Sequence, residues 1–332
     1  MKQELRTPGI DGREKQTSGK AGARAREEAR AKELAELLRP GQSIALLQQL
    51  HILTRDGQLN QDSRRKLKQV YHLYQFIETL LHELEQTPAA DASTRGLTVA
   101  DHGAGKSYLG FILFDLFFKA RAQGMVYGIE SRGDLVAKSC DLAAHLGFAR
   151  MRFLNLTVAQ STRTPELPDQ IDLVTALHAC DSATDDAIAF GLAKQARAFA
   201  LVPCCQAEAA RHLGSNKALM LSRTPLAELW RHPLHTRELG SQITNVLRCL
   251  YLEANGYQVS VTELVGWEHS MKNELIIARY TGQRKRAAAE RMVEIGEQFG
   301  LKALLDTRFT RQPHNSEDNV DNVDNVDNAD GR

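Results

Sequence analysis

Between residues 97 and 203, short apolar runs alternate with longer stretches of helical spacing. Residues 97–101, 125–130, 150–156, 171–177 and 199–203 read as strands. Residues 106–120, 133–146 and 184–196 read as the helices between them. That alternation predicts a doubly wound, mostly parallel sheet with helices on both faces. The pattern then changes. A helix over 241–254 stops at Asn255-Gly256, Tyr257 to Val265 alternates as a strand, and Glu274 to Tyr280 follows after a short connection. Two strands joined so closely pair antiparallel. The fold class expected is α/β and Rossmann-like, with a C-terminal antiparallel hairpin.

Upstream, residues 62–84 predict a long amphipathic helix. Leu67, Val70, Tyr71, Tyr74, Ile77, Leu81 and Leu84 recur at the spacing of one helical face. The Ala, Arg, Glu and Leu mixture over 23–38 favours a further helix, stopped by Pro40. The expected organisation is a disordered segment 1–22, a helical N-terminal extension 23–94, a core domain 95–283, a C-terminal helix 284–310, and a disordered acidic tail 311–332 that repeats Asp-Asn-Val.

The chain has 332 residues, 42% of them hydrophobic, which suits one large domain with extensions. No apolar run reaches the length of a membrane span and no charged-then-apolar leader opens the chain, so a soluble, cytoplasmic protein without a membrane partner is expected. The five cysteines are odd in number and form no Cys-x-x-Cys pair, which argues against a disulfide framework or a zinc ribbon. The net charge is only +1, so any nucleic-acid face must be local. Arg64, Arg65, Lys66 and Lys68 are one candidate cluster, although such residues more often form a solvated helix face.

The densest chemistry lies in Leu97-Thr98-Val99-Ala100-Asp101-His102-Gly103-Ala104-Gly105-Lys106-Ser107-Tyr108-Leu109: a strand ending in an acid, a Gly-rich turn, then a helix. Two cofactors fit this loop. Ala100 to Ser107 satisfies the nucleotide P-loop with Ala in the first glycine position. An acid followed by Gly-x-Gly also satisfies the first motif for S-adenosylmethionine (SAM). Charge favours SAM, because Asp101 beside polyanionic phosphate is electrostatically awkward, whereas the sulfonium and ammonium of SAM welcome a carboxylate. Asp101, Gly103 and Gly105 are then the residues for the methionine half. Glu130, ending the second strand, can accept both ribose hydroxyls.

A second constellation sits at the ends of the fourth and fifth strands, where catalytic groups gather in open α/β sheets. It contains His178, Cys180, Asp181, Cys204 and Cys205. Four readings stand: buried packing cysteines, His178 and Asp181 as base or orienter, a metal site, and a thiolate nucleophile.

Three blocks together resemble a known family. The loop Asp101 to Leu109, the segment Leu177-His178-Ala179-Cys180 with Ala183-Thr184-Asp185, and Pro203-Cys204-Cys205 are similar to a branch of class I SAM-dependent methyltransferases. That branch is distantly similar to eukaryotic tRNA 2′-O-methyltransferases of the acceptor stem. The likeness covers about 95–210 and reaches more weakly to Met271-Lys272-Asn273-Glu274. It implies a class I methyltransferase sheet over the core, with Asn155 and Leu156 bordering the adenine and Lys272 joining His178 and Asp181 on the acceptor side. A four-residue arrangement of Lys68, Asp181, Lys272 and Glu274 is a further option. His102, Asp181, Gln206 and Asn155 depart from the family's usual residues. The resemblance and the basic cluster favour RNA, tRNA or rRNA, as the methyl acceptor. A protein side chain or a small molecule is the alternative; a nucleotide-binding protein or a non-catalytic SAM-pocket module is the contrasting class.

Overall fold

A computed structural model describes residues 32–87, 95–177, 182–203, 207–214, 224–264 and 274–309. Its centre is a sheet of seven strands: β1 (Thr98–His102), β2 (Met125–Glu130), β3 (Met151–Asn155), β4 (Leu173–Leu177), β5 (Ala198–Val202), β6 (Tyr257–Glu263) and β7 (Glu274–Tyr280). Their order is β3-β2-β1-β4-β5-β7-β6. The first five run parallel; β7 pairs antiparallel with β5, and β6 antiparallel with β7. The expected doubly wound sheet with a C-terminal hairpin is the fold observed.

Two apolar layers enclose the sheet. On one face lie α1 (Ile44–Gln49), α2 (Gln61–Gln86), α3 (Tyr108–Leu113), a π-helical turn over Phe114–Phe118, and α4 (Gly133–Leu146). Leu47, Ile77, Phe111 and Phe117 there pack in one cluster with Val99 and Val126 of the sheet. Residues expected as an N-terminal extension therefore share the core of the sheet. The short α5 (Val158–Ser161) and α6 (Ala183–Ala193), α7 (Glu208–Gly214) and α8 (Pro233–Ala254), then α9 (Arg286–Gln298) and α10 (Lys302–Arg308), follow along the chain. Phe190, Leu247, Leu252 and Leu305 from this second group pack with Ala100, Val174 and Phe199 on the other face.

Local chemistry sets the element ends. The Asn60 side chain accepts from the Ser63 N–H at 2.7 Å and caps α2. Gly147, at φ +69°, closes α4 in the left-handed conformation. Three elements differ from the sequence reading. The helix expected over 106–120 begins at Tyr108, because Ser107 is itself left-handed at φ +48°. The helix expected over 241–254 starts at Pro233, whose fixed φ suits a first turn. The C-terminal helix expected over 284–310 is two helices, broken where Gly300 adopts φ +65°.

The N-terminal edge of the sheet is tied by a buried acid. Asp172 Oδ2 accepts from the Thr98 N–H at 2.8 Å and from Arg95 at 2.7 Å, and Oδ1 accepts from Arg197 at 2.9 Å. Arg197 also donates to the carbonyls of Leu84 and Thr87, which joins the end of α2 to this node. Removing this carboxylate takes a charged partner from two partly buried guanidinium groups. Asp172→Ala should therefore lower the unfolding free energy by about 3 kcal/mol, measurable by urea denaturation.

Candidate functional site

The C-terminal ends of β1, β2 and β3 bring three predicted residues into line. Asp101 stands opposite Gly128, and Glu130 stands opposite Asn155. Between β1 and α3 the chain turns through Gly103 at φ +66° and Gly105 at φ +59°, a conformation open to glycine at little cost. Gly110 lets the first turn of α3 press on the strand end; a Cβ there would lie 2.5 Å from Ser107 Oγ.

Asp101 is buried. Ser107 Oγ donates to its Oδ2 at 3.2 Å, Thr175 Oγ1 to its Oδ1 at 3.0 Å, and the Gly110 N–H also donates to it. No cation reaches it among the described residues. Burial therefore dominates, and its pKa is pushed up to about 7 despite the three donors.

Glu130 has the opposite electrostatics. Its Oε2 accepts from the Gly105 N–H at 2.7 Å, and its Oε1 accepts from the backbone N–H and Nε of Arg132 at 3.0 and 2.9 Å. Partial burial raises its pKa, but the Arg132 and Gly105 donors outweigh that and hold it down at about 2. It is ionised throughout the physiological range. Asn155 spends its amide Nδ2 on the carbonyls of Glu130 and Ser131, at 3.1 and 2.9 Å, and so braces the loop after β2. Leu156 is half-buried beside it.

The turn does not suit a nucleotide phosphate. In a P-loop, Ser107 would face a magnesium ion, yet it is fully buried with its hydroxyl on Asp101. The Gly105 N–H, which would face phosphate, is held by a carboxylate. A buried acid without a cation and an ionised acid one strand away suit a cationic ligand with a diol, which is what SAM presents.

Beside Asp101 opens a cavity of about 380 Å³. Its walls include Val70 and Leu73 of α2, Tyr108 and Ile112 of α3, with Lys66 and Gln69 as polar groups. Sequence reasoning missed this chamber, because Val70 read only as part of the packing face of a helix and Leu73 was not singled out. His102 was noted only as a departure from the family. It is buried against Phe190, 5.1 Å between ring centroids, and neither ring nitrogen has a hydrogen-bond partner among the described residues. Burial lowers its pKa to about 4, so the ring is neutral. Also unforeseen is Arg248, fully buried, whose Nε meets Asp185 Oδ1 at 2.5 Å.

The predicted acceptor-side residues His178, Asp181 and Lys272, like Cys180, Cys204 and Cys205, lie outside the described residues. Of the four-residue option, Lys68 lines a separate groove with Arg64 and Tyr71, and Glu274 accepts from Asn245 Nδ2 at 2.6 Å. The structure therefore does not bring these two to the chamber beside Asp101.

Residues 65–212 match a family model described as a methyltransferase domain. Over those residues the chain is similar to a methyltransferase domain. The sheet order, with the antiparallel β7 inserted beside β5, is the class I arrangement expected from the sequence. Among solved structures, the chain is similar to TrmK from M. capricolum in complex with S-adenosyl-homocysteine, at 12% identity over 59% of this chain and 68% of that one, TM-score 0.35. It is also similar to magnesium protoporphyrin IX methyltransferase from Synechocystis PCC 6803, at 18% identity over 72% and 95%, TM-score 0.38. A third is the Methanococcus jannaschii fibrillarin pre-rRNA processing protein, at 12% identity over 57% and 68%, TM-score 0.37. No curated protein matches the chain.

The pKa of Asp101 has two consequences of opposite sign. An acid whose pKa rises on folding destabilises the fold progressively as pH climbs from about 3.8 through about 7. In the SAM reading proposed below, the cation is met by the ionised form. Affinity for SAM, measured calorimetrically, should therefore rise about tenfold between pH 6 and pH 8, with proton uptake by the buffer. Asp101→Asn should melt higher than the parent at pH 8 yet bind SAM at least about tenfold more weakly.

Proposed function

We propose that this chain methylates RNA, tRNA or rRNA, with SAM as the methyl donor, and works in the cytoplasm. The observation that carries the RNA reading is local charge: Arg64, Arg65, Lys66 and Lys68 occupy the first two turns of α2, and Lys66 reaches the rim of the chamber beside Asp101. The ion pairs of Arg64 with Glu33 and of Lys66 with Asp62 are exposed, so they exchange cheaply for phosphate. A cytoplasmic site agrees with the free thiols of Cys140 and Cys249.

In this reading Asp101, with the turn at Gly103 and Gly105, holds the methionine half of the cofactor. Glu130 takes the ribose hydroxyls, and Asn155 and Leu156 border the adenine. When bound, SAM supplies an electrophilic methyl group. The protein's task is then to align an acceptor with it, and His178, Asp181 and Lys272 are the candidates for orienting that acceptor or removing its proton.

Glu130 spends its lone pairs on Gly105 and Arg132, so the ribose must displace the Arg132 side chain, which is 63% exposed. Titration calorimetry with SAM and S-adenosylhomocysteine, run beside ATP–magnesium, tests the pocket. Only the adenosyl ligands should bind, Glu130→Ala should weaken them about a hundredfold, and Arg132→Ala should tighten them by up to about fivefold. Binding of ATP alone would overturn the cofactor assignment. RNA affinity that falls steeply with salt supports the acceptor, and salt-independent transfer to a small molecule would remove it.

A further inference from the structure

We infer that the chamber beside Asp101 receives a single nucleobase, turned out of an RNA strand and presented to the methyl donor by α2. This rests on the SAM and RNA reading above and goes beyond it by naming the part of the RNA that is methylated.

The position comes first. Asp101 and Ala104 border the chamber, whereas Glu130 and Asn155 do not. The chamber therefore adjoins the methionine end of the cofactor site, away from the ribose and adenine end. Its volume of about 380 Å³ lies within the range of small-ligand pockets.

The chemistry of the walls selects among acceptors. Val70, Leu73 and Ile112 are apolar, and Tyr108 adds an aromatic ring. A ribose hydroxyl placed here loses water on every side and finds few partners. A lysine ammonium finds one acid, Asp101, which faces the cofactor. A nucleobase has two apolar faces and one polar edge. Apolar walls and a tyrosine ring suit the faces, and the Gln69 amide, which both donates and accepts, suits the edge. Lys66 on the same helix borders the chamber, where a flanking phosphate would run, and Arg64 and Lys68 line the neighbouring groove along which the strand would continue. In the transfer, a new bond forms from a base nitrogen to the methyl carbon. The carbon–sulfur bond breaks with its electron pair left on sulfur, and the nitrogen's proton passes to water.

The test is photo-crosslinking. A short single-stranded RNA of random sequence carrying 4-thiouridine is irradiated with the full chain saturated with S-adenosylhomocysteine, and crosslinked residues are mapped by mass spectrometry. Crosslinks at Tyr108, Val70 or Leu73 are expected. They should disappear in Val70→Trp, which fills the chamber; circular dichroism checks its fold, and the parent's map decides if it does not fold. Lys66→Gln with Lys68→Gln should flatten the salt dependence of RNA binding by a slope of about 1.4. Crosslinks confined to other parts of the chain, or no RNA bound, would overturn the inference. So would tritiated methyl groups recovered on ribose oxygens or on protein. The heat of S-adenosylhomocysteine binding separates the two failures: if it is absent, the cofactor reading has failed, and if it is present, only the nucleobase has.

Discussion

At the tip of β1 a carboxylate lies in the protein interior with two hydroxyls and an amide around it but no cation among the described residues. Much of the local structure is arranged to permit this. Ser107 takes up the left-handed conformation and turns its hydroxyl onto Asp101. Gly110 has no side chain, so α3 presses close, and Thr175 reaches across from the neighbouring strand. The neighbouring Gly128 is equally constrained, since a Cβ there would strike the Phe153 ring at 2.5 Å. Folding holds an acid in a state that favours its neutral form, and a cationic ligand relieves it.

Glu130, one strand away, is the complement. It is ionised, close to the surface and satisfied by its own chain. In the proposed function the pair divides the work of recognition: one acid gains when a positive charge arrives, and the other exchanges one set of donors for another. Neither role requires a large movement of the sheet. The residues that adjust are a side chain at the start of α4 and a proton on Asp101.

The strand ends were legible in the sequence because a short apolar run that stops at an acid has few other meanings in an α/β pattern. Asp101 and Glu130 follow from that rule, and so does the antiparallel hairpin. The start of α8 was not legible, because Pro233 to Glu238 is polar and only a tertiary view shows Arg248 buried on that helix. The chamber was hidden for a similar reason. Val70 belongs to a periodic apolar face whose other members, such as Ile77 and Leu81, are fully buried in the core, whereas Val70 is only half-buried. Periodicity tells which side of a helix is apolar, and it does not tell where along that side the packing stops. His102 shows the same limit: its burial against Phe190 comes from the facing helix, which no local pattern encodes.

Asp172 and Asp101 sit at opposite ends of the same central strands, and both are buried acids with several donors. The first is neutralised by two arginines; the second has no cation beside it among the described residues. Natural variation at the two ends should consequently be seen by different filters. A change around Asp172 alters how many molecules survive in the cell and leaves each survivor competent. A change around Asp101 can leave abundance intact, or even raise it, while each molecule loses its ligand. The sheet thus separates the inheritance of quantity from the inheritance of quality along a single strand direction.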